Sequence, residues 1–316
     1  MEGKKSKALT ARPGANLWHQ IWKSRMTYTL LLPGLVWYIV FAYGPLAGLT
    51  LAFKTYKASL GIWGSPWAGL LNYSHVFSDP AFMESVFRTL YINLGRLIFQ
   101  FPVPIILALA LNEIKFLRFK KTLQTVFTFP NFLSWVIVAG ILQNILSLDG
   151  LLNNTLDAIG LSRISFLGNP TIFQPMLYIT DIWKSSGWGA IIYLAAIASV
   201  DMDQYQAAEI DGATRIQRIF HITLPNIMPT IVVMFILQIG GIMSAGFDQI
   251  FNLNNVSVRS VSETLDMYIY RITFQAPTDF SFSMAVSLFR SVINMVLLLI
   301  ADRGAKLMGG DGLLAR

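Results

Sequence analysis

The 316-residue chain contains no cysteine, only three histidines and few charges. Without cysteine, disulfides, thiolate catalysis, Cys-ligated zinc and iron–sulfur clusters are all excluded. His19, His75 and His221 stand far apart in the sequence, so no histidine metal site is expected. No GxxxxGK[ST] phosphate loop occurs, so the chain does not bind ATP in that manner. Asp, Glu, Lys and Arg together make up 13% of the residues, against about 25% in soluble domains. A chain of this length with so few charges does not present most of its surface to water.

What fills the space is apolar. Hydrophobic residues account for 54% of the chain, and the mean hydropathy is +0.54. Lipid is the natural solvent for such a composition. The net charge of +7 needs no nucleic-acid partner, because excess Lys and Arg in membrane proteins gathers in cytoplasmic segments. The first apolar run, Met26 to Phe53, is free of charge. It is much longer than the core of a secretory leader, and no small-residue cleavage site follows it, so it reads as a first span.

A spanning helix needs ~20 mostly apolar residues. Six stretches qualify: about 26–53, 89–112, 122–148, 172–200, 224–247 and 281–301. Pro33 and Pro45 lie in the first, and Arg96, Pro102 and Pro104 interrupt the second. Asp181 and Lys184 lie in the fourth, Gly240 and Gly241 in the fifth, and Arg290 in the sixth. Proline is tolerated in a span where neighbouring helices satisfy the freed carbonyls. Four segments fall on one side of this thread: the N-terminal tail, 113–121, 201–223 and the tail after 301. They hold fifteen of the 24 Lys and Arg, whereas the opposite loops (about 54–88, 149–171 and 248–280) hold six. The expected fold is therefore all-α with six transmembrane helices and both termini in the cytoplasm. Its expected divisions are a tail over 1–25, one membrane domain over 26–303 and a tail over 304–316. No internal repeat or separate soluble domain is visible.

The segment between the fourth and fifth spans carries the most information. Asp201 or Asp203 is suited to cap a short helix over Gln204 to Ile210, and Gly212 supplies a stop where positive φ is cheap. Ile216, Ile219, Phe220 and Thr223 then fall at i, i+3, i+4 and i+7, which predicts a second, amphipathic helix. Pro225 marks the start of the fifth span. Two short helices at a sharp angle would either lie on the lipid surface or insert into a groove of a soluble partner.

This stretch resembles the EAA signature of ABC-importer permeases, EAA-x3-G-x9-I-x-L-P. Gln206, Ala207 and Ala208 occupy the first three positions, Gly212 follows after three residues, and Ile222, Thr223, Leu224 and Pro225 close the motif. The chain departs from the family at Gln206, where a glutamate is usual. Gln keeps the length and a carbonyl but not the charge, and Glu209 one turn on is a candidate replacement. Asp181, Ile182, Trp183, Lys184, Gly187, Trp188 and Gly189 resemble the subgroup that includes aldouronate and complex-oligosaccharide permeases. So do Ala108 to Glu113, Gln124, and Pro130 to Trp135. The resemblance spans roughly residues 28 to 303.

The resemblance implies the type I importer fold and a role for Tyr205, Gln206, Ala207, Ala208, Glu209, Asp211, Gly212, Ile222, Leu224 and Pro225 in coupling to an ATPase. Nothing catalytic is implied in this chain. ATP and Mg would belong to two copies of a separate ATP-binding subunit. The other implied partners are a second, similar permease forming a heterodimer, an extracytoplasmic solute-binding protein, the bilayer of the bacterial inner membrane and an oligosaccharide cargo.

Charge inside a span costs ~2.5–3.5 kcal/mol, so such residues should face protein or water. Asn93, Arg96 and Gln100 share one helical face, as either a pathway lining or a tie between helices. Asp181 and Lys184 at i, i+3 are expected to neutralise each other. Arg290 is open to both readings, and Trp135, Trp183 and Trp188 are suited either to stack on sugars or to sit in an interfacial belt. Asn131, Gln143, Asn144, Gln238 and Asn294 are further lining candidates. Three intramembrane cations against the single anion Asp181 favour an acidic cargo, and on this count Arg96→Leu should impair uronate uptake selectively. A secondary transporter would be expected to show pseudo-symmetric halves, and an intramembrane enzyme a nucleophile–base pair or metal ligands. The sequence displays neither. An amino-acid or peptide cargo stays open, because the coupling stretch does not report cargo.

Overall fold

The structure is a computed structural model that describes residues 22–275 and 279–307. The described residues are almost entirely helical, and the strand-like exception is a single bridge between Lys54 and Trp67. The principal helical elements are α1 (Arg25–Phe53), α2 (Leu71–Ser78), α3 (Pro80–Asn112), α4 (Leu117–Thr128), α5 (Trp135–Leu146), α6 (Leu151–Ala158), α7 (Pro170–Ala198), α8 (Met202–Ile210), α9 (Arg215–Gly240), α10 (Phe247–Leu253), α11 (Leu265–Phe274) and α12 (Phe280–Leu307).

Five helical stretches among the described residues are long and apolar enough to cross a membrane, and the bent pair α7–α8 supplies a sixth. Their outward faces are bare: Leu30 is 80% exposed and Ile98 64%. That is the pattern of helices solvated by lipid rather than water.

Proline chemistry shapes two of the spans in the same way. A proline lacks its N–H and crowds the carbonyl four residues back. Ahead of Pro45 the helix widens into a π turn over Tyr38–Tyr43, where the Gly44 amide donates to the Ile39 carbonyl five residues earlier. Ahead of Pro225 the same device spans Ile219–Thr223, with the Leu224 amide donating to the Ile219 carbonyl. The chain therefore passes Pro225 without a break. The separate amphipathic helix expected before the fifth span is instead the first turns of one continuous helix, α9.

Three further boundaries differ from expectation. α3 begins at Pro80, nine residues before 89. Asp79 caps it by accepting from the Ala81 amide at 2.9 Å, and the Glu84–Arg88 pair at i, i+4 extends it beyond the apolar stretch. The expected span over 122–148 is α4 and α5 separated by a 3₁₀ turn at Phe129–Phe132. Pro130 ends the ladder, and Ser134 starts a new helix by accepting from the Ile137 amide. The apolar stretch of crossing length is consequently Trp135–Ala158. The fifth span stops at Gly240 rather than 247, and residues 241–246 are not helical. The expected sixth span, 281–301, lies within α12, which continues to Leu307. The tails expected at 1–25 and 304–316 fall mostly outside the described residues.

Packing forms three buried clusters. One joins Ile105, Ala108, Ala190, Tyr193, Ile197 and Ile227 at the α8 end of the bundle. Two others, around Ile92, Leu177 and Ile250 and around Phe82, Tyr268 and Val286, fill the opposite end. α7 reaches its neighbours closely because it presents a glycine: a Cβ on Gly187 would sit 2.0 Å from the Phe127 carbonyl oxygen. Small residues at helix crossings are how membrane helices gain van der Waals contact without a hydrophobic drive.

Candidate functional site: a helical elbow and a polar knot

Two groups of residues stand out, one at each end of the bundle. At the first, α7 turns through 73° into α8. Asp201 makes the turn by capping α8, its carboxylate accepting from the Asp203 amide at 3.0 Å. α8 ends in a Schellman pair: the Gly212 amide donates to the Glu209 carbonyl at 3.1 Å, and the Ala213 amide to the Ala208 carbonyl at 2.9 Å. Gly212 has φ of +75°, and nothing lies within 4 Å of where its Cβ would be. Conformation, not space, calls for glycine there. Thr214 and Gln217 then form a reciprocal capping box that starts α9.

The elbow is stitched together internally. The Tyr205 hydroxyl meets the Thr223 hydroxyl at 2.9 Å, the Asn226 amide donates to Gln204 Oε1 at 3.0 Å, and Arg218 pairs with Glu209 at 3.4 Å. Tyr205, Ile222 and Leu224 pack on the inner cluster. Ala208 is half-buried, whereas Gln206, Ala207, Glu209, Asp211, Gly212 and Pro225 are exposed. Exposed beside them are Met202 (63%), Ile210 (87%), Ile216 (68%) and Phe220 (60%). The expected apolar stripe is thus divided: Thr223 is buried while Ile216 and Phe220 face out.

The second group surrounds the unwound residues 241–246, whose backbone groups cannot pair along a helix. Side chains from three helices take them up. The Asn93 amide donates to the Ile242 carbonyl at 2.6 Å and to Ser244 at 3.3 Å. Asn294 accepts from the Met243 amide at 3.1 Å, and Asp266 from the Ala245 amide at 3.2 Å. Arg96, 5% exposed, donates to Gln249 Oε1 at 2.5 Å and lies 3.7 Å from Asp181. Gln249 in turn donates to the Leu177 carbonyl and the Thr180 hydroxyl. Arg290 pairs with Asp266.

Of the residues expected to line a pathway, five converge here: Asn93, Arg96, Asp181, Arg290 and Asn294. Gln100 lies one turn from Arg96 and donates to Ser185 at 3.1 Å. Lys184 does not pair with Asp181. Its ammonium donates to the Asn131 carbonyl at 2.9 Å and sits 5.6 Å from the Trp135 ring, because α4 and the 129–134 turn cross α7 at that level while α3 offers Arg96 to Asp181. Trp183 and Gln238 are exposed and apart from the knot. The count of three cations against one anion is also corrected. Asp266, from a loop assigned to the outside, neutralises Arg290, and Asp181 offsets Arg96. Sequence reading missed Gln249 and Asp266, since neither lies in an expected span.

The elbow and the knot both lie within residues 100–308 or touch them, and those residues match the family described as binding-protein-dependent transport system inner membrane component. The chain belongs to that family. It is a multi-pass inner-membrane transport permease. Protein LplB of Bacillus subtilis (strain 168) is 39% identical over 306 residues, covering 96% of each chain. The polygalacturonan/rhamnogalacturonan transport system permease protein YteP of the same strain is 40% identical over 292 residues, 92% of this chain and 91% of that one. Among solved structures, a chain of the bacterial alginate ABC transporter, in complex with alginate pentasaccharide-bound periplasmic protein, superposes with a TM-score of 0.84. The two are 36% identical, over 94% of this chain and 99% of that one.

Proposed function

We propose that this permease imports acidic oligosaccharides delivered by an extracytoplasmic solute-binding protein, and that ATP hydrolysis in separate subunits drives it through the elbow. The observation that carries the reading is the elbow itself. A nine-residue helix set at 73° to its span exposes apolar Met202 and Ile210. Such side chains on a polar turn call for a partner. The hydroxyl and amide bonds to Thr223 and Asn226 tie α8 to α9, so a push on one moves the other as a body.

ATP and Mg belong to two partner ATPase subunits in this reading, and a second, similar permease completes a heterodimer across the bilayer. The elbow and both termini face the cytoplasm, in keeping with the Lys and Arg bias. The membrane domain over 26–303 works as one unit. Gln206 is exposed at the position where a glutamate is usual, and Glu209 carries the local negative charge, steadied by Arg218. The cargo class rests on relatives named for polygalacturonan and alginate, both acidic chains.

The test is reconstitution of the chain with its second permease, ATPase subunits and binding protein. ATPase activity is expected to rise when the binding protein carries a uronate oligosaccharide, and less with neutral ones. Stimulation by amino acids or peptides, or transport without any ATPase subunit, would overturn the reading.

A further inference from the structure

The segment between α9 and α12 encloses a cavity of about 290 Å³ that neither the elbow nor the knot uses. Its chemistry is set by three charged groups. Arg259 and Arg271 each donate through Nε to a different oxygen of Glu263, at 2.8 and 2.6 Å. The Glu263 side chain is 9% exposed and that of Arg259 is 52%. Two guanidinium groups against one carboxylate leave one positive charge uncompensated. Both tethers run through Nε, so the terminal nitrogens have no hydrogen-bond partner among the described residues. Arg271 is further fixed over the Tyr268 ring at 5.3 Å. These are preset donors, held in place before any ligand arrives.

The remaining wall suits a sugar ring. Phe251 and Tyr270 meet edge to face with centroids 4.9 Å apart, giving an apolar surface with a hydroxyl at its edge. Asn254 spends its carbonyl oxygen on the Ser262 hydroxyl, leaving its amide to donate. The cavity is at the small end of ligand sites, which run from roughly 300 Å³ upward, so it suits one ring rather than a chain. Met267, on its floor, belongs to the same buried cluster as Ile92 and Ala245 beside the knot. The cavity thus opens on the opposite end of the bundle from the elbow and borders the residues that enclose 241–246.

We propose that this cavity binds one carboxylated sugar unit, a uronate residue of the incoming chain, with the terminal nitrogens of Arg259 and Arg271 on its carboxylate and the Phe251–Tyr270 wall against its ring. The proposal rests on the oligosaccharide-import reading. A planar guanidinium fork matches a carboxylate in shape, and the single net charge matches it in magnitude. A neutral sugar gains nothing from the uncompensated charge.

The experiment uses the assembled transporter in nanodiscs without binding protein, titrated with trigalacturonate and with galactotriose and followed by saturation-transfer NMR. Arg259→Gln leaves Arg271 on Glu263, and Gln275→Glu places a negative charge at the exposed rim without removing a contact. Each is expected to weaken trigalacturonate binding by about tenfold, the effect of one charge-assisted bond, and galactotriose should bind no variant better than another. Equal trigalacturonate binding by wild type and both variants overturns the proposal, as does equal binding of the two saccharides. ATPase stimulation by loaded binding protein is measured on the same samples. If it persists while binding ignores Arg259 and Gln275, the cavity assignment fails and the import reading stands, the arginines then serving the docked protein. If no loaded binding protein stimulates ATPase while trigalacturonate binding follows Arg259, the import reading fails and the cavity stands.

Discussion

Arg96 was visible in the sequence as a charge that had to be accommodated, by a pathway or by a tie between helices, but what it ties to was not. Its partners, Gln249 and Asp181, are 153 and 85 residues away, and only the fold brings them together. Removing one member of a buried pair strands the other, at a cost of about 3–5 kcal/mol. Arg96→Leu is therefore expected to lower the melting temperature of the purified chain and to reduce uptake of neutral and acidic saccharides alike. A selective loss of uronate uptake with unchanged stability would restore the pathway role first suggested by the residue's position. Glu263 gives a prediction in pH. Burial by itself would raise its pKa, but the hydrogen bonds and charges of Arg259 and Arg271 outweigh that and hold it below the ordinary value of 4.5. A carboxyl lowered on folding stabilises above its unfolded pKa and loses that contribution as pH falls through the folded one. Hydrogen-exchange protection over residues 259–275, corrected for the intrinsic pH dependence of amide exchange, should thus be steady at neutral pH and fall only below about pH 4.5. A loss of protection between pH 8 and 6 would contradict the assignment.

The turns and caps at the elbow were readable because each depends on a few neighbouring residues. Asp201 before Met202, and Gly212 after Ile210, are local choices made by local chemistry. The interruption at Phe129–Phe132 was not readable. A proline in an apolar run is compatible with either a kink or a new start, and Ser134 settled the matter only through its bond to Ile137. The end of α9 at Gly240 was equally hidden, because the residues that satisfy 241–246 come from α3, α11 and α12. At the elbow the consequence is testable. Gly212→Ala should cost about 1–2 kcal/mol, the penalty of a side chain in the left-handed region. Gly212→Pro goes further, since it also removes the amide that donates to Glu209 and forces φ negative. Membrane insertion, read from the yield of folded protein, should survive in Gly212→Pro. Stimulation of ATPase by loaded binding protein should be lost, and full stimulation in that variant would refute the elbow as a lever.

At the scale of the molecule, composition and apolar run length were enough to give an all-helical membrane protein with up to six crossings, because lipid permits so few alternatives. The side on which each end lies is a separate matter, governed by Lys and Arg in the short loops. Two exposed residues mark the opposite ends of the bundle: Glu209 on the elbow, with a 75% exposed side chain, and Val256 beside the Arg259 cavity, 93% exposed. A chain with no cysteine of its own gives a clean background for labelling. In intact cells a membrane-impermeant maleimide should label Val256→Cys and spare Glu209→Cys, and in inside-out vesicles the pattern should reverse. Labelling of both from one side would mean that the chain crosses the bilayer an even number of times between them. That is incompatible with α9 as a single crossing from elbow to cavity, and with it the transmission of force from α8 to the residues around 241–246 would lose its physical path.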